Sequence, residues 1–489
     1  MLKLNKITKY FDEKIILDEV SMIVNDGQAV ALIGPNGVGK TTLLKIIVGE
    51  MNYDFGEIKN TLSVGYVPQK IDDEEIIIKE YFDDAKLWKI NYALSLVDLS
   101  YIDIDKDIKT LSGGEKTRLS IAKVFSKNDS PELLILDEPT NNLDTEMIAW
   151  LKKFINKFSG SVLIASHDRS FINEVANSIY ELKDCKLKHH AGNFEFYKQE
   201  RQNELDRHYE DYEKYNETKN KLNKHIAEFR ERSRRVSNTS FDKIKHESKM
   251  AFQGSKSSTQ AKAGSKIKAL KSKLGQLEEI KKPKLDKLYK INIDGEVHKN
   301  KIIFSAENIN KSYRDISVLR QIELEIIGKD RVQVTGKNGS GKSTLLKIVA
   351  HKINADSGEI KWSEGIRIGY YSQDTEMIDM NASAYENLKN PDVDDERIYY
   401  QARKLGLVFK LLPKKTKTLS RGQQAKLAFC KLLLQNNDLL ILDEPTNHMD
   451  IETKELLESA LREYEGAILV ASHDKYFIEQ IEINKVLDL

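Results

Sequence analysis

The sequence predicts a duplicated α/β fold, two parallel-sheet domains in tandem joined by a long α-helical hairpin. Three observations carry this. A nine-residue glycine-rich pattern occurs twice, 302 residues apart. Each copy sits between an apolar run that reads as a strand and an amphipathic run that reads as a helix. Four further motifs recur in the same order, with offsets of 304 to 308 residues. Between the repeats lies a segment that lacks these motifs and is rich in lysine and arginine.

In the first repeat, Ala29 to Ile33 is the strand and Leu43 to Val48 continues as the helix. Between them stand Gly34, Pro35, Asn36, Gly37, Val38, Gly39, Lys40, Thr41 and Thr42. In the second, Val332 to Thr335 leads into Gly336, Lys337, Asn338, Gly339, Ser340, Gly341, Lys342, Ser343 and Thr344, with a helix from Leu345 to Val349. A loop of this pattern turns its backbone N–H groups toward nucleotide phosphates. The lysine reaches the β- and γ-phosphates, and the following hydroxyl holds Mg²⁺. The plainer reading, a glycine turn with an exposed lysine, does not account for the whole pattern appearing twice in a strand–loop–helix setting.

Gln69 closes Val-Gly-Tyr-Val-Pro-Gln, and Gln373 closes Ile-Gly-Tyr-Tyr-Ser-Gln. Leu111 precedes Ser112, Gly113, Gly114 and Glu115, as Leu419 precedes Ser420, Arg421, Gly422 and Gln423. Leu133 to Leu136 lacks polar alternation and reads as a buried parallel strand. It delivers Asp137 and Glu138 at its carboxyl end, where ligands bind in such sheets; Asp443 and Glu444 repeat them. His167 and His473 each stand within Ala-Ser-His-Asp.

This order of elements resembles the ATP-binding-cassette ATPases over about residues 1–198 and 302–489, roughly four-fifths of the chain. The resemblance implies two ATP-binding-cassette nucleotide-binding domains that bind ATP and Mg²⁺. Thr41, Gln69, Asp137, Ser343, Gln373 and Asp443 would surround the metal. Glu138 and Glu444 would polarise the attacking water, and His167 and His473 would contact the γ-phosphate. One P-loop alone leaves one side of the triphosphate in water. In this superfamily the Ser-Gly-Gly segment of the other domain closes it, so Lys40 should face Ser420 and Lys342 should face Ser112. Asp144 and Asp450 would cross that interface. Phe11 (or Tyr10) and Tyr313 end the first strand of each repeat, where cassettes place an aromatic against adenine; the plainer reading is strand packing. Arg421 departs from the pattern, standing where Gly113 stands, and restricts backbone approach at the site built from Lys40 and Ser420.

Composition agrees. The chain has 489 residues, 40% hydrophobic and 31% charged, with a formal net charge of +1. That suits a soluble globular protein of two or three domains. No apolar run nears the roughly 18 residues a membrane span requires. Met1-Leu-Lys-Leu-Asn reads as a strand rather than a signal peptide. Cys185 and Cys430 lie in opposite repeats without metal-ligand spacing, so a disulfide framework is not expected and a cytoplasmic location is.

Residues 199–301 form the predicted linker. From Arg201 to Lys290 there are 24 Lys/Arg against 13 Asp/Glu. Leu205, Tyr209, Tyr212, Leu222, Ile226 and Phe229 recur at helical spacing, and Ile267, Leu270, Leu274, Leu277 and Ile280 do so on the return. Two antiparallel helices are expected, with a tip loop near 236–259 and Pro283 ending or kinking the second. Arms of roughly 35 residues reach about 50 Å at 1.5 Å per residue. Only 16 of the 77 basic residues are Arg, yet Arg230, Arg232, Arg234 and Arg235 fall within six positions. Arg offers bidentate phosphate contacts and stacking on bases, which favours RNA over a merely solvated helix face. Lys249, Met250 and Phe252 lie near the expected turn, and the last two could wedge among nucleotides or pack on each other.

Paired cassettes with a charged helical linker resemble the ABC-F family. That resemblance implies binding at the ribosomal exit site as a monomer with an intramolecular cassette dimer. It also implies a linker that reaches peptidyl tRNA and large-subunit rRNA at the peptidyl-transferase centre, with no membrane partner. Only 41 residues separate Gln69 from Leu111, which leaves little room for the arm that housekeeping members insert there. Sixteen residues follow His473, so no C-terminal extension is expected. A long tip without an arm looks most like the antibiotic-resistance branch. A housekeeping factor that rescues stalled ribosomes is the nearest alternative. The paired ATPase subunit of an importer is a remoter one, since it needs a membrane partner and no basic hairpin.

Overall fold

The structure is a computed structural model. It describes residues 1–237, 262–280 and 301–489, apart from 72–74, 84, 128–129, 142, 263, 278–279, 315, 338, 373–376, 392, 436 and 448; for 232–237 it describes the backbone alone. The chain divides into two units, Met1–Tyr197 with Leu288–Leu489, and Lys198–Lys287.

The first cassette opens with β1 (Leu2–Phe11) and β2 (Lys14–Val24), antiparallel partners whose alternating apolar residues face one core. Then come β3 (Ala29–Ile33), α1 (Lys40–Val48), β4 (Phe55–Asn60) and β5 (Val64–Val67). A helical subdomain follows, with α2 (Ile78–Tyr81), α3 (Leu87–Leu96) and α4 (Gly113–Lys127). The chain returns through β6 (Leu133–Asp137), α5 (Thr145–Lys157), β7 (Ser161–Ala165), α6 (Arg169–Val175), β8 (Ser178–Lys183) and β9 (Lys186–Ala191).

Among the described residues the main sheet has the order β5-β6-β7-β3-β8-β9, and β2-β1-β4 forms a smaller antiparallel sheet. Only β9 runs antiparallel in the main sheet. Leu133, Leu134, Ile135 and Leu136 are all fully buried, as a strand covered on both faces requires. Replacing such a leucine by Ala typically costs about 2–5 kcal/mol. The crossovers bring the carboxyl ends of β3, β6 and β7 to one edge, and the P-loop, Asp137-Glu138 and His167 follow those ends.

α7 (Phe194–Ser237) leads into the second unit. It is 44 residues long, about 65 Å at 1.5 Å per residue, and it begins before the expected boundary at 199. The return run is α8 (264–276). The predicted seams hold. Leu205, Tyr209, Tyr212, Leu222, Ile226 and Phe229 are all shielded on α7, as are Tyr215, Asn216 and Lys219 between them, while Ile267, Leu270 and Leu274 are shielded on α8. The Lys266 ammonium lies 5.3 Å from the Phe229 ring centre. Arg230 is exposed on α7. The tip residues Lys249, Met250 and Phe252, and Pro283, lie outside the described residues, as do the side chains of Arg232, Arg234 and Arg235.

The second cassette repeats the first. Its elements are β10 (Ile302–Tyr313), β11 (Ile316–Ile327), β12 (Arg331–Thr335), α9 (Lys342–Val349), β13 (Ser357–Trp362) and β14 (Ile368–Tyr371). Then follow α10 (Ala384–Leu388), α11 (Asp395–Lys404), α12 (Arg421–Leu434), β15 (Leu439–Asp443), α13 (Ile451–Glu463), β16 (Ala467–Ala471), α14 (Lys475–Gln480) and β17 (Lys485–Asp488). Its sheets are β14-β15-β16-β12-β17 and β11-β10-β13 among the described residues.

Candidate nucleotide sites

Each P-loop is a turn that only glycine can close. Gly39 precedes α1 with φ of 114°, and a Cβ there would lie 2.7 Å from Ile16 Cγ2. Gly341 precedes α9 with φ of 104°, and a Cβ would lie 2.7 Å from Leu319 Cδ2. Left-handed backbone with a neighbour that close excludes any other residue without rearrangement. The following lysines begin the helices, and their ammonium groups fold back on the loops. Lys40 Nζ donates to the carbonyls of Gly34 (2.8 Å) and Pro35 (3.3 Å). Lys342 Nζ donates to those of Gly336 (2.7 Å) and Lys337 (3.0 Å). Burial lowers the pKa of both ammonium groups, against nearby carboxylates that raise it.

The acidic pairs meet the P-loops from β6 and β15. The Thr41 hydroxyl hydrogen-bonds Asp137, and the Ser343 hydroxyl donates to Asp443 at 3.1 Å. Glu138 and Glu444 leave their strands in left-handed backbone, with φ of 50° and 46°. For a non-glycine residue that conformation costs on the order of 1–3 kcal/mol. It is held by hydrogen bonds from their own N–H groups to the carbonyls of Ala165 and Ala471, both 2.8 Å. Each carboxylate in turn accepts from a backbone N–H, that of His167 at 3.3 Å and that of His473 at 3.4 Å. Burial pushes the Glu138 and Glu444 carboxyls up to about 7.

The two histidines differ. His167 Nε2 lies 2.8 Å from Lys40 Nζ, 2.9 Å from Asn36 Oδ1 and 3.3 Å from Glu138 Oε1. Burial and then the Lys40 charge hold its pKa well below the ordinary value. His473 is less enclosed, and its Nδ1 meets the Thr145 hydroxyl of the first cassette at 3.3 Å.

Contacts run from each cassette to the other's P-loop. Asp450 accepts from the Asn36 N–H at 3.3 Å, and Glu146 pairs with Lys337 at 2.9 Å. A cleft of about 660 Å³ brings together Asn36, Gln69, Glu138 and His167 of the first cassette with Ser420, Arg421, Gly422, Glu444 and His473 of the second. Ser112 and Gly113 do not line it. Ser112 instead forms a capping box with Glu115, its hydroxyl 2.7 Å from that carboxylate, and Ser420 forms the same box with Gln423. A Cβ at Gly114 would lie 2.7 Å from Met147 Cγ of α5, so the signature packs closely on that helix.

Phe11 and Tyr313 end β1 and β10 with 45% and 48% of their surface exposed, each beneath a lysine ammonium, whereas Tyr10 packs edge-on against Phe55. Asn338 and Gln373 lie outside the described residues. Sequence reading passed over Tyr66, whose hydroxyl sits 3.5 Å from Asp137, and Thr145. It passed over Lys454 as well, which donates to the His167 carbonyl at 3.2 Å. Comparing the repeats position by position would have marked Lys454, because Ile148 stands at its counterpart.

The residues present fit a nucleoside triphosphate with a divalent cation. Among the described residues, buried Asp137 Oδ1, Glu138 Oε1 and Glu444 Oε1 accept no hydrogen bond, though His167 Nε2 stands 3.3 Å from Glu138 Oε1. Such orphaned acceptors beside a P-loop lysine and hydroxyl suit a metal ion and a water.

The ABC transporter family model matches residues 17–141 and 319–447. The ATP-binding protein Uup of Buchnera aphidicola is 30% identical, over 98% of this chain and 79% of that protein. The putative ATP-binding protein YdiF of Bacillus subtilis is 29% identical, over 100% and 80%. ABC transporter F family member 2 of Arabidopsis thaliana is 29% identical, over 100% and 76%. Among solved structures, the RNase-L inhibitor superposes with a TM-score of 0.64 at 19% identity, over 98% of this chain and 86% of that one. An archaeal ribosome recycling factor, in complex with a ribosomal stalk protein, gives 0.62 at 18%, over 98% and 86%. At those identities the two structures speak for the fold.

Proposed function

The chain belongs to the ABC transporter family of ATP-binding proteins and hydrolyses ATP, and from that premise we propose that it is an ABC-F ATPase of the ribosome. In this reading two ATP molecules are held between the cassettes, one on Lys40 with Ser420 and one on Lys342 with Ser112. ATP with Mg²⁺ supplies the phosphoanhydride to be broken. Glu138 and Glu444, fixed by the backbone of His167 and His473, orient the attacking water. ATP favours the closed pair of cassettes because it contacts both, and hydrolysis removes that preference.

The observation that carries the ribosomal reading is the linker. It combines a 44-residue helix, a return helix, a surplus of eleven basic residues and a cluster of four arginines. Such a hairpin suits RNA, and an importer ATPase has no use for it. The likeness to ABC transporter F family member 2 over the whole chain agrees with the ABC-F assignment. Among the described residues no helix is long and apolar enough to cross a membrane.

We further propose that the tip acts near the peptidyl-transferase centre to displace antibiotics, with lincosamides, pleuromutilins and streptogramin A compounds as the expected classes. The linker length and the short span between Gln69 and Leu111 support this. A housekeeping role in rescuing stalled ribosomes is the alternative, and the likeness to ABC transporter F family member 2 supports it equally. A susceptibility panel on cells expressing the wild type or Met250→Ala/Phe252→Ala separates the two. Protection lost in the variant supports displacement. No protection by the wild type, with co-sedimentation on ribosomes retained, supports the housekeeping role. Failure to co-sediment in ATP would end the ribosomal reading.

A further inference from the structure

We propose that Arg169, Glu458, Lys454 and Asp474 form a one-sided clasp between the cassettes. The clasp positions His167 and keeps the ATP site on Lys40 closed through turnover, so the site on Lys342 is the one that opens and exchanges nucleotide. This rests on the composite-site reading above and names which of its two sites is the slow one.

Arg169 opens α6, two residues after His167, and is 1% exposed. Its guanidinium forks onto the carboxylate of Glu458 on α13 of the other cassette, with Nη1 3.1 Å from Oε2 and Nη2 against Oε1. The Tyr476 ring lies beneath it, 4.2 Å away. Asp474 stands 4.0 Å from Arg169 Nη2 and 2.9 Å from Lys454 Nζ. Lys454 also donates to the backbone carbonyl of His167 across the interface. Two cations and two carboxylates from both cassettes are thus buried together. A bidentate Arg–carboxylate pair in such a setting is geometrically strict, and removing one partner strands a buried charge.

The mirror-image position cannot make the same contact. The repeat sets Lys475 where Arg169 stands, Lys152 where Glu458 stands and Ile148 where Lys454 stands. α6 and α14 pack against each other, so the two halves of this arrangement share one interface. On the mirror side, two lysines take the places of the arginine and the glutamate. Lys152 turns instead to Glu174 of its own cassette at 2.6 Å, and Lys475 is exposed. The histidines report the difference. His167 touches the P-loop lysine, while the side chain of His473 is 20% exposed against 9% for that of His167.

The test follows each site separately. Full-length protein is loaded with labelled azido-ATP and Mg²⁺, chased with unlabelled ATP, and photolysed at intervals, and labelled peptides are mapped to each cassette. In the wild type, label should persist on first-cassette peptides and clear from the second. Arg169→Ala should shorten retention in the first cassette by about tenfold or more and leave the second unchanged, as expected for a stranded buried partner. Arg169→Lys keeps the charge but loses the two-pronged contact, so its retention should fall between that of the wild type and that of Arg169→Ala, a graded loss that a packing defect alone would not predict. Lys152→Glu with Glu174→Gln sets a carboxylate opposite Lys475 and should lengthen retention in the second cassette, so the idea stays testable even where Arg169→Ala folds poorly. Equal clearance from both cassettes in the wild type, or no gain at the second site in the Lys152→Glu variant, would overturn the clasp. Retention lost in Arg169→Ala from the second cassette alone would show that the clasp exists but that the pairing of Lys40 with Ser420 is wrong.

Discussion

The carboxylate of Asp450 accepts a hydrogen bond from the backbone N–H of Asn36, 3.3 Å away in the P-loop of the other cassette. The two oxygens divide the work. Oδ2 reaches Asn36, while Oδ1 caps α13 by accepting from the Thr453 N–H at 2.9 Å and from its hydroxyl. Asp450→Ala should lose the cap, typically about 1 kcal/mol, together with the cross-cassette contact. Asp450→Asn can keep the cap through its carbonyl oxygen, but it turns an N–H₂ toward the Asn36 N–H. Thermal unfolding should therefore recover in the Asn variant while ATP affinity at Lys40 stays weakened. An Asn variant that binds ATP like the wild type would remove Asp450 from the site.

Glu138 and Glu444 share left-handed backbone, a backbone partner in the next strand, and orphaned Oε1 atoms. Glu138→Gln with Glu444→Gln leaves the P-loops and the Asp137 and Asp443 contacts in place. ATP should still bind and close the cassettes, with steady-state phosphate release falling by about 10²-fold or more, as is usual when a water-positioning group is lost. The protein should then accumulate on ribosomes and slow growth. Phosphate release at the wild-type rate is the result that would falsify the assignment.

The same two carboxyls make a pH dependence with opposite signs for activity and stability. Burial raises both from 4.5 to about 7. Water activation needs the carboxylate, so ATPase activity should climb as pH rises through about 7. Stability runs the other way. A carboxyl whose folded pKa lies above its unfolded one stabilises fully below about 4.5 and loses that contribution as pH rises through about 7. His167, held well below its ordinary value, works in the opposite sense at lower pH. Subtracting the unfolding midpoint of the double Gln variant from that of the wild type across this range isolates the glutamates. A flat difference would mean that both carboxyls are already ionised.

Much of this was legible because local chemistry and fold agree. Gly39 and Lys40 demand a left-handed turn into a helix, and Leu133 to Leu136 can only be a covered strand. The apolar residues picked out by spacing are all shielded on α7 and α8, although Asn216 and Lys219 are shielded too. The start of α7 at Phe194 was not legible, because Phe194 and Tyr197 are buried in the first cassette and carry no seam signal. The left-handed backbone of Glu138 depends on β7 holding its N–H, which no local pattern encodes. The pairing of Arg169 with Glu458 joins residues 289 apart. Charge reversal between the repeats hinted at it, but only the interface brings the two together.

The arginine cluster offers the sharpest test of the RNA reading. Arg230, Arg232, Arg234 and Arg235 fall at the end of α7, and a chain that otherwise relies on lysine concentrates arginine there. If these side chains meet phosphates, each contact releases counterions, and log Kobs against log salt should steepen by about 0.7 per contact on single-stranded sites and about 0.9 on duplex. Replacing all four by Gln should weaken ribosome binding at low salt and flatten the slope by up to about 3 on single-stranded sites, or about 3.6 on duplex. ATPase activity without ribosomes should hardly change, because the cassettes hold every residue placed at the nucleotide. A solvated helix face predicts the contrary, with weaker binding absent and the slope unaltered. A uniform loss of affinity at every salt concentration would point to a broken helix rather than lost phosphate contacts, and circular dichroism of the variant separates the two.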